Sequence, residues 1–139
     1  MYVQPYLFFD GRCDEALEFY MKGLGAEVLM LMRFKESPEP HDPKMVTPEM
    51  ADKVMHACFR VGKTEILASD GHCTGSTNFQ GFSLSITVPS PAEADRLFNA
   101  LAEGGQVAMP LGQTFFSPKF GMVTDKFGIL WMIMVAEKS

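Results

Sequence analysis

Basic residues and long apolar runs are scarce in this chain of 139 residues. Twelve Lys and Arg stand against 17 Asp and Glu, which gives a net charge of −5. Neutralising nucleic-acid phosphates requires clustered basic side chains, and a membrane surface attracts the same clusters. The longest apolar segment, residues 129–136, is far shorter than the ~20 residues that span a bilayer. We therefore expect no nucleic-acid partner and no membrane association.

Cysteine is also rare, and its three positions form no recognisable pair. Cys13, Cys58 and Cys73 are odd in number and include no C-x-x-C spacing, which fits reduced thiols better than a disulfide framework. The first residues, MYVQPYLFFDG, carry no basic region ahead of an apolar core and so do not resemble a secretion signal. A cytoplasmic location is the expectation.

Several catalytic and cofactor motifs are missing. The sequence contains no G-x-G-x-x-G, P-loop, G-x-S-x-G or HExxH pattern. The chain therefore lacks the loops and ligands required for dinucleotide binding, nucleotide binding, hydrolase catalysis and zinc-protease catalysis.

Methionine and phenylalanine, by contrast, are plentiful. The chain has 11 Met and 12 Phe within a hydrophobic content of 47%, and its length is typical of one domain with its own core. Soft thioethers and large rings either fill irregular core space or line an adaptable apolar cavity. Composition alone leaves both readings open.

The first half of the chain predicts one helix and four strands. Aromatic and branched residues, turn dipeptides and helical periodicity mark the elements. In order, we predict a strand over 2–9, a helix ended by Gly23 and Gly25, a strand over 26–34, and a hairpin of strands 55–61 and 64–69 around Gly62-Lys63. Four prolines in the segment 35–53 predict a long surface loop. Its portion 36–48 is either a lid or a passive insertion.

The second half repeats this order. FSLSITV, residues 82–88, alternates strictly between apolar and polar residues, as a half-buried strand does. Ser90-Pro91-Ala92-Glu93 is a capping box with proline at the first helical position, and Gly104-Gly105 end the helix that follows. Further strands are predicted over 106–110, 120–125 and 129–135.

Two similar halves therefore predict an α+β fold of two tandem βαβββ modules. The helices match as EALEFY and EADRLF, and one such unit leaves the second face of its sheet in need of cover. We expect one domain over residues 1–139, with modules at about 1–70 and 81–139 joined by a linker at about 71–80. Pairing the two curved mixed sheets would form a cleft.

Three stretches carry a family resemblance: PYLFF-DG-x-CDEALEFY, MHACFRVGKTEILASD, and AEADRLFNALAEGGQVAMPLGQTFFSPKFGMVTDKFGILWMI. They resemble the PhnB-like branch of the vicinal oxygen chelate superfamily, which includes glyoxalase I, bleomycin-resistance proteins and extradiol dioxygenases. The resemblance spans nearly the whole chain and implies a glyoxalase-like cleft and a homodimer. It selects no reaction, because members use the cleft for isomerisation, ring cleavage, epoxide opening and drug sequestration.

The resemblance also implies where a divalent metal would bind, and these positions lack the usual ligands. Metal-dependent members use His or Glu from the first and last strands of each module. The corresponding positions here fall near Pro5, Glu65 or Leu67, Ser83 and Met132. Only Glu65 offers a carboxylate, so we expect no complete metal site. Relatives also carry a demethylubiquinone methyltransferase label, but this chain has no glycine-rich turn to hold S-adenosylmethionine.

Strand parity indicates which side chains could meet a ligand. His56, Cys58 and Arg60 share one face of their strand, and Glu65, Leu67 and Ser69 share one face of the next. The alternative is structural: His56 is hydrogen-bonded within the sheet, and Arg60 pairs with Glu65 across the strands. The linker residues His72 and Cys73 are expected to face solvent.

Two hypotheses follow. The first is a protein that binds a small organic molecule in an apolar cleft without a metal. Its predicted contacts are His56, Cys58, Glu65, Ser69, Ser83, Ser85, Met30 or Leu31, Met32, Phe116 and Trp131. Aromatic and thioether walls with a few polar groups suit such a ligand. The second is a divalent-metal-dependent lyase, isomerase or transferase, with His56 and Glu65 as the candidate catalytic residues and ligands.

Overall fold

The computed structural model describes residues 1–37, 48–71 and 77–136. The chain divides into two compact units, Met1–Thr77 and Asn78–Ser139. His72, Cys73 and most of the predicted lid segment 36–48 lie outside the described residues. In the described part of the chain, no helix is long and apolar enough to cross a membrane.

The first unit contains one helix and a four-stranded sheet, which we call sheet one. Its elements are β1 (Tyr6–Phe8), α1 (Cys13–Leu24), β2 (Glu27–Arg33), β3 (Val54–Val61) and β4 (Thr64–Ser69). The spatial order is β1-β4-β3-β2. β1 runs parallel to β4, and the other neighbours are antiparallel. Gly62 takes φ 58° in the two-residue β3–β4 turn, as a tight hairpin requires.

The second unit repeats this topology in sheet two. Its elements are β5 (Leu84–Val88), α2 (Pro91–Ala102), β6 (Gln106–Gly112), β7 (Phe120–Thr124) and β8 (Leu130–Val135). The order β5-β8-β7-β6, with β5 parallel to β8, matches sheet one strand for strand. The predicted pair of βαβββ modules is confirmed.

Each helix buries one stripe against one face of its own sheet. α1 buries Ala16, Leu17 and Tyr20, and the Tyr20 ring stacks on Phe59 of β3 with centroids 5.7 Å apart. α2 buries Ala94, Leu97, Phe98 and Leu101. On the opposite side of each sheet, no helix of the same unit packs among the described residues, and we call that side the helix-free face.

A buried carboxylate fixes the start of α1. Asp70, directly after β4, accepts hydrogen bonds from the backbone N–H groups of Gly11, Cys13 and Val54, each at 2.8 Å. A carboxylate at this place satisfies orphan donors of the first helical turn and complements the helix dipole. The bonds tie β3 and β4 to the start of α1.

The element boundaries differ from the sequence expectations in two places. β1 covers only Tyr6–Phe8 instead of residues 2–9, and Phe82 precedes β5 with a half-exposed ring. The capping signal of α2 is present, since the Ser90 Oγ accepts a hydrogen bond from the Glu93 N–H at 3.3 Å and Pro91 begins the helix. The residues that flank β1 keep single backbone hydrogen bonds with β4, since the Leu67 N–H donates to the Pro5 carbonyl and the Phe9 N–H donates to the Ser69 carbonyl.

Candidate functional site

The helix-free face of sheet one carries His56 and Cys58 on β3. Their neighbours Ala57 and Phe59 are fully buried, because alternate residues of a strand point to opposite faces. The Tyr6 hydroxyl of β1 lies 3.0 Å from the His56 Nδ1, and the two rings lie 5.6 Å apart. This contact orients the imidazole and engages one of its two nitrogens.

Cys58 interacts with the acidic residue of the neighbouring strand. Its Sγ donates a weak hydrogen bond to the Glu65 Oε1 at 3.9 Å. Burial of the thiol and the negative charge of Glu65 raise the pKa of Cys58 above its ordinary value. The thiol is therefore protonated at neutral pH and is not an activated nucleophile. Arg60 forms its ion pair with Glu27 of β2 instead of with Glu65.

Two methionines of β2 complete this face. Met32 is paired with His56, and Met30 is paired with Cys58. Register shifts flank the two residues on either side, and such bulges redirect the side chains of an edge strand. The sequence left Met30 and Leu31 as alternatives, and the register selects Met30, because Leu31 is paired with the buried Ala57.

The helix-free face of sheet two carries a row of thioethers. Ser85, Met132, Met122 and Met109 are successive cross-strand partners on β5, β8, β7 and β6. Because directly paired residues share a face, the row crosses the whole sheet. Ser83 joins it, since its Oγ lies 3.0 Å from the Met132 Sδ.

Phe116 lies beside this row. Its ring meets the edge of the Phe120 ring at 5.1 Å, and Phe120 is the cross-strand partner of Met134. Sheet two therefore brings together three of its predicted contacts, Ser83, Ser85 and Phe116, on one aromatic and thioether surface.

Two of the predicted contact residues are buried and hydrogen-bonded within the fold. Trp131 is 1% exposed on the side of β8 opposite Met132, and its indole N–H donates to the Asp125 carboxylate at 2.8 Å. Ser69 is 2% exposed, and its Oγ accepts a hydrogen bond from the Gly71 N–H. The Trp131 side chain does not reach a helix-free face. Ser69 is on the same side of β4 as Leu67, since it is paired with Phe8, but its hydroxyl is buried and hydrogen-bonded. We do not retain either residue as a ligand contact.

The sequence interpretation missed several members of these faces. Tyr6, Met109 and Met122 were not singled out, and Met132 was considered only as a metal position. The alternation of residues along each strand could be read from the sequence for all four residues. The pairing register that joins them across strands could not, because register depends on which strands are neighbours.

The divalent-metal positions implied by the resemblance do not hold a suitable ligand set. In sheet one Tyr6, next to Pro5, is paired with Leu67, and in sheet two the Ser83 Oγ lies 3.0 Å from the Met132 Sδ. A phenol, an aliphatic chain, a hydroxyl and a thioether do not match the preference of divalent ions for imidazole and carboxylate. Among residues 1–37, 48–71 and 77–136, no three His, Cys, Asp or Glu side chains are grouped to hold an ion.

A separate hollow of about 590 Å³ lies in the second unit, next to the start of α2. Its lining includes Pro91, Phe115 and the hydroxyl residues Thr114 and Ser117. The Thr114 Oγ1 accepts hydrogen bonds from two backbone N–H groups of its own loop. The Ser117 Oγ bonds the carbonyls of Lys119 and Val135. Since both hydroxyls already stabilise the loop, the helix-free faces remain the candidate site.

Comparison with known proteins shows the family of the chain. The family model described as 3-demethylubiquinone-9 3-methyltransferase matches residues 2–134. The chain belongs to this PhnB-like family. Protein YjdN of Escherichia coli strain K12 is 35% identical over 145 residues, covering 99% of this chain and 97% of YjdN.

Solved structures agree with the PhnB-like assignment. Protein PA1353 from Pseudomonas aeruginosa is 45% identical, with a TM-score of 0.84 and 99% of each chain covered. A putative 3-demethylubiquinone-9 3-methyltransferase, PhnB protein, from Bacillus cereus is 29% identical, with a TM-score of 0.79 over 98% of this chain and 100% of its own.

The likeness extends further at the level of fold. A glyoxylase/bleomycin resistance protein/dioxygenase domain from Frankia sp. EAN1pec is 19% identical, with a TM-score of 0.65 over 100% of this chain and 93% of its own. This PhnB-like chain therefore has the vicinal oxygen chelate fold, with two modules, each of one helix and a four-stranded mixed sheet.

Proposed function

We propose that this PhnB-like chain binds a small organic molecule on its helix-free sheet faces, without a complete divalent-metal site. The observation that carries the proposal is the composition of these faces. Each presents thioether and aromatic groups together with a small number of polar atoms, the chemistry of a pocket for a modest organic ligand.

The proposed contacts lie on the two faces, each taken by itself. On sheet one they are Met32, His56, Cys58 and Glu65, and on sheet two they are Ser83, Ser85 and Phe116. Flexible thioethers adapt to ligands of different shape, whereas His56 and Glu65 supply directed hydrogen bonds and a charge. A negative Glu65 favours a ligand that carries a positive charge or several donors.

We do not propose metal-dependent catalysis for this chain. The alternative, a lyase, isomerase or transferase using a divalent ion, needs ligands that the positions near Pro5, Leu67, Ser83 and Met132 lack. Elemental analysis of dialysed protein tests this directly. A stoichiometric divalent ion that survives dialysis against chelator would overturn the metal-free proposal.

The binding proposal is tested by NMR of protein labelled with ¹³C at the methionine methyl groups. The chain has 11 Met, and single Met→Leu variants assign their signals. A panel of small amphipathic molecules, including cationic drugs, is titrated into the protein. We expect at least one compound to shift either Met32 or the pair Met122 and Met132 in a saturable manner, because these methyl groups lie on the proposed faces of sheet one and sheet two, respectively.

Met21 serves as the internal control. It is on α1 and about as exposed as Met30, but it lies on a helix and not on a helix-free face. Shifts that include Met21 equally would indicate nonspecific binding. If no compound in a broad panel moves the face methionines, the binding proposal fails.

A homodimer and a cytoplasmic location complete the proposal. The edge strands β2 and β6 expose apolar residues, including Leu29 at 41% and Val107 at 46%, and uncovered apolar edges favour association with a second copy. In the described chain Cys13 and Cys58 are free thiols, in keeping with a reducing compartment.

A further inference from the structure

Sheet one contains a cluster of soft donor atoms that includes three of the residues proposed to contact the organic ligand. Its members are Met30 and Met32 on β2 and His56 and Cys58 on β3. Two thioethers, a thiol and an imidazole on neighbouring strands are an unusual combination. Sulfur ligands of this kind, with imidazole, select Cu(I) over hard divalent ions.

The pairing register places the four side chains around one point. Met30 is paired with Cys58, and Met32 is paired with His56. Directly paired residues share a face with Cβ atoms about 5 Å apart, and alternate residues of one strand are about 7 Å apart. The four Cβ atoms therefore form a rectangle whose centre is about 4 Å from each corner. A donor side chain and a metal–ligand bond of about 2.0–2.3 Å together span that distance.

Solvent can reach the cluster. Met30 is 41% exposed, and Met32, His56 and Cys58 are half-buried. The site is thus partly desolvated, which strengthens soft ligation, while an ion or a small carrier complex can still enter.

A second contact prepares the imidazole for ligation. The Tyr6 hydroxyl lies 3.0 Å from the His56 Nδ1. When the Nδ1–H donates to the phenol oxygen, Nε2 presents its lone pair. Metal-binding histidines are commonly oriented in this way by a partner on the other ring nitrogen.

We propose that Met30, Met32, His56 and Cys58 form a binding site for a monovalent soft metal ion, with Cu(I) as the cognate ion. The site uses β2 and β3 and sulfur donors, so it differs in place and chemistry from the divalent site implied by the family. It also does not depend on the proposed organic ligand.

Binding involves one proton and no change of oxidation state. The Cys58 S–H bond breaks, a bond between Sγ and Cu(I) forms, and the proton leaves to the buffer. Glu65, whose Oε1 is 3.9 Å from the Sγ, is the nearest described acceptor for that proton. The thiolate and the ion neutralise each other, so the face gains no net charge.

The test is an anaerobic titration of the purified chain with tetrakis(acetonitrile)copper(I), in competition with a chromogenic Cu(I) chelator. We expect one equivalent of Cu(I) per chain to be retained. Cys58→Ser and the double variant Met30→Leu/Met32→Leu should each weaken retention by at least about tenfold. Met21→Leu, which makes the same chemical change on α1, should bind as the parent does.

A second measurement locates the ion without any substitution. Silver nitrate supplies Ag(I), an air-stable soft ion, to the ¹³C-methyl-methionine protein. The Met30 and Met32 signals should shift at one equivalent, and Met21 should not move. The proposal is overturned if the parent retains no Cu(I), if the double variant binds as tightly as the parent, or if Ag(I) shifts other methionines first.

Discussion

At the scale of single residues, two buried carboxylates hold the framework of the chain, and a buried thiol lies beside one of them. Asp70 ties the start of α1 to β3 and β4. Asp125 accepts hydrogen bonds from the N–H groups of Phe127 and Ile129 and from the indole of Trp131. Cys13 is fully buried at the first turn of α1. Removing one partner from such a group leaves buried donors unsatisfied, at about 1–3 kcal/mol each.

Cys13 makes the stability of the fold sensitive to alkaline pH. Burial and the nearby charges of Asp70 and Asp14 strongly raise the pKa of the Cys13 thiol above its ordinary value of 9.0. In the unfolded chain the thiol ionises near that ordinary value, but in the folded chain it stays protonated. The folded state thus binds more protons above pH 9, and its stability falls as pH rises.

We therefore expect the free energy of unfolding to fall by up to about 1.4 kcal/mol for each pH unit above the ordinary thiol pKa. Urea unfolding at a series of pH values measures this slope. The Cys13→Ala variant removes the thiol, and its slope should be shallower by that amount. Equal slopes in parent and variant would contradict the assignment.

At the scale of elements, local patterns predicted most of the structure. Turn dipeptides and periodicity placed both helices, the β3–β4 hairpin and the strands of sheet two to within a few residues. The faces of β3 followed from parity, because Ala57 and Phe59 are buried as expected and His56 and Cys58 are not.

These local patterns could not predict the register between strands or the residues at which the strands end. The alternation of the β8 sequence, LWMIMV, does not say which face meets the helix. Trp131 was therefore expected on the ligand side, although its side chain is buried against Asp125. The row formed by Ser85, Met132, Met122 and Met109 depends on three pairings between strands. The pairing of Ser85 with Met132 joins residues far apart in sequence, and only the assembled sheet reveals the row.

Ser90 provides a test of an element boundary. Its hydroxyl accepts a hydrogen bond from the Glu93 N–H at the start of α2. Replacing an N-cap serine with alanine costs about 1 kcal/mol, whereas glycine costs only a few tenths. We expect Ser90→Ala to lower the free energy of unfolding by about 1 kcal/mol, and Ser90→Gly by less.

Chemical denaturation followed by the fluorescence of Trp131, the one tryptophan in the chain, measures both variants. Thr87→Ala changes a hydroxyl on β5 outside the helix and serves as the control. An alanine variant as stable as the parent would show that the cap contributes nothing to α2.

At the scale of the whole molecule, the edge strands of both sheets expose apolar side chains to water. The strand β2 carries apolar residues on both faces, and in one chain Leu29 and Met30 are each 41% exposed. β6 has similar exposure at Val107 and Met109. These apolar edges underlie the proposal of a homodimer.

Sedimentation equilibrium tests that proposal. We expect a particle of about 31 kDa, twice the 15.4 kDa of one chain. Leu29→Lys or Val107→Lys should shift the protein towards the monomer, because a charge on an edge strand opposes pairing. Met21→Lys on α1 is the matched control and should leave the mass unchanged. A parent protein that sediments at about 15 kDa would refute the dimer.

The parallel pairing of β1 with β4 also has a consequence for biosynthesis. Sheet one is incomplete until Ser69, the last residue of β4, has left the ribosome, since the first strand has no lateral partner before then. From that moment every strand of sheet one is present, while the last strands of sheet two are not yet translated. The amino-terminal unit can therefore close while the rest of the chain is still being made, before all strands of the second sheet exist as alternative partners.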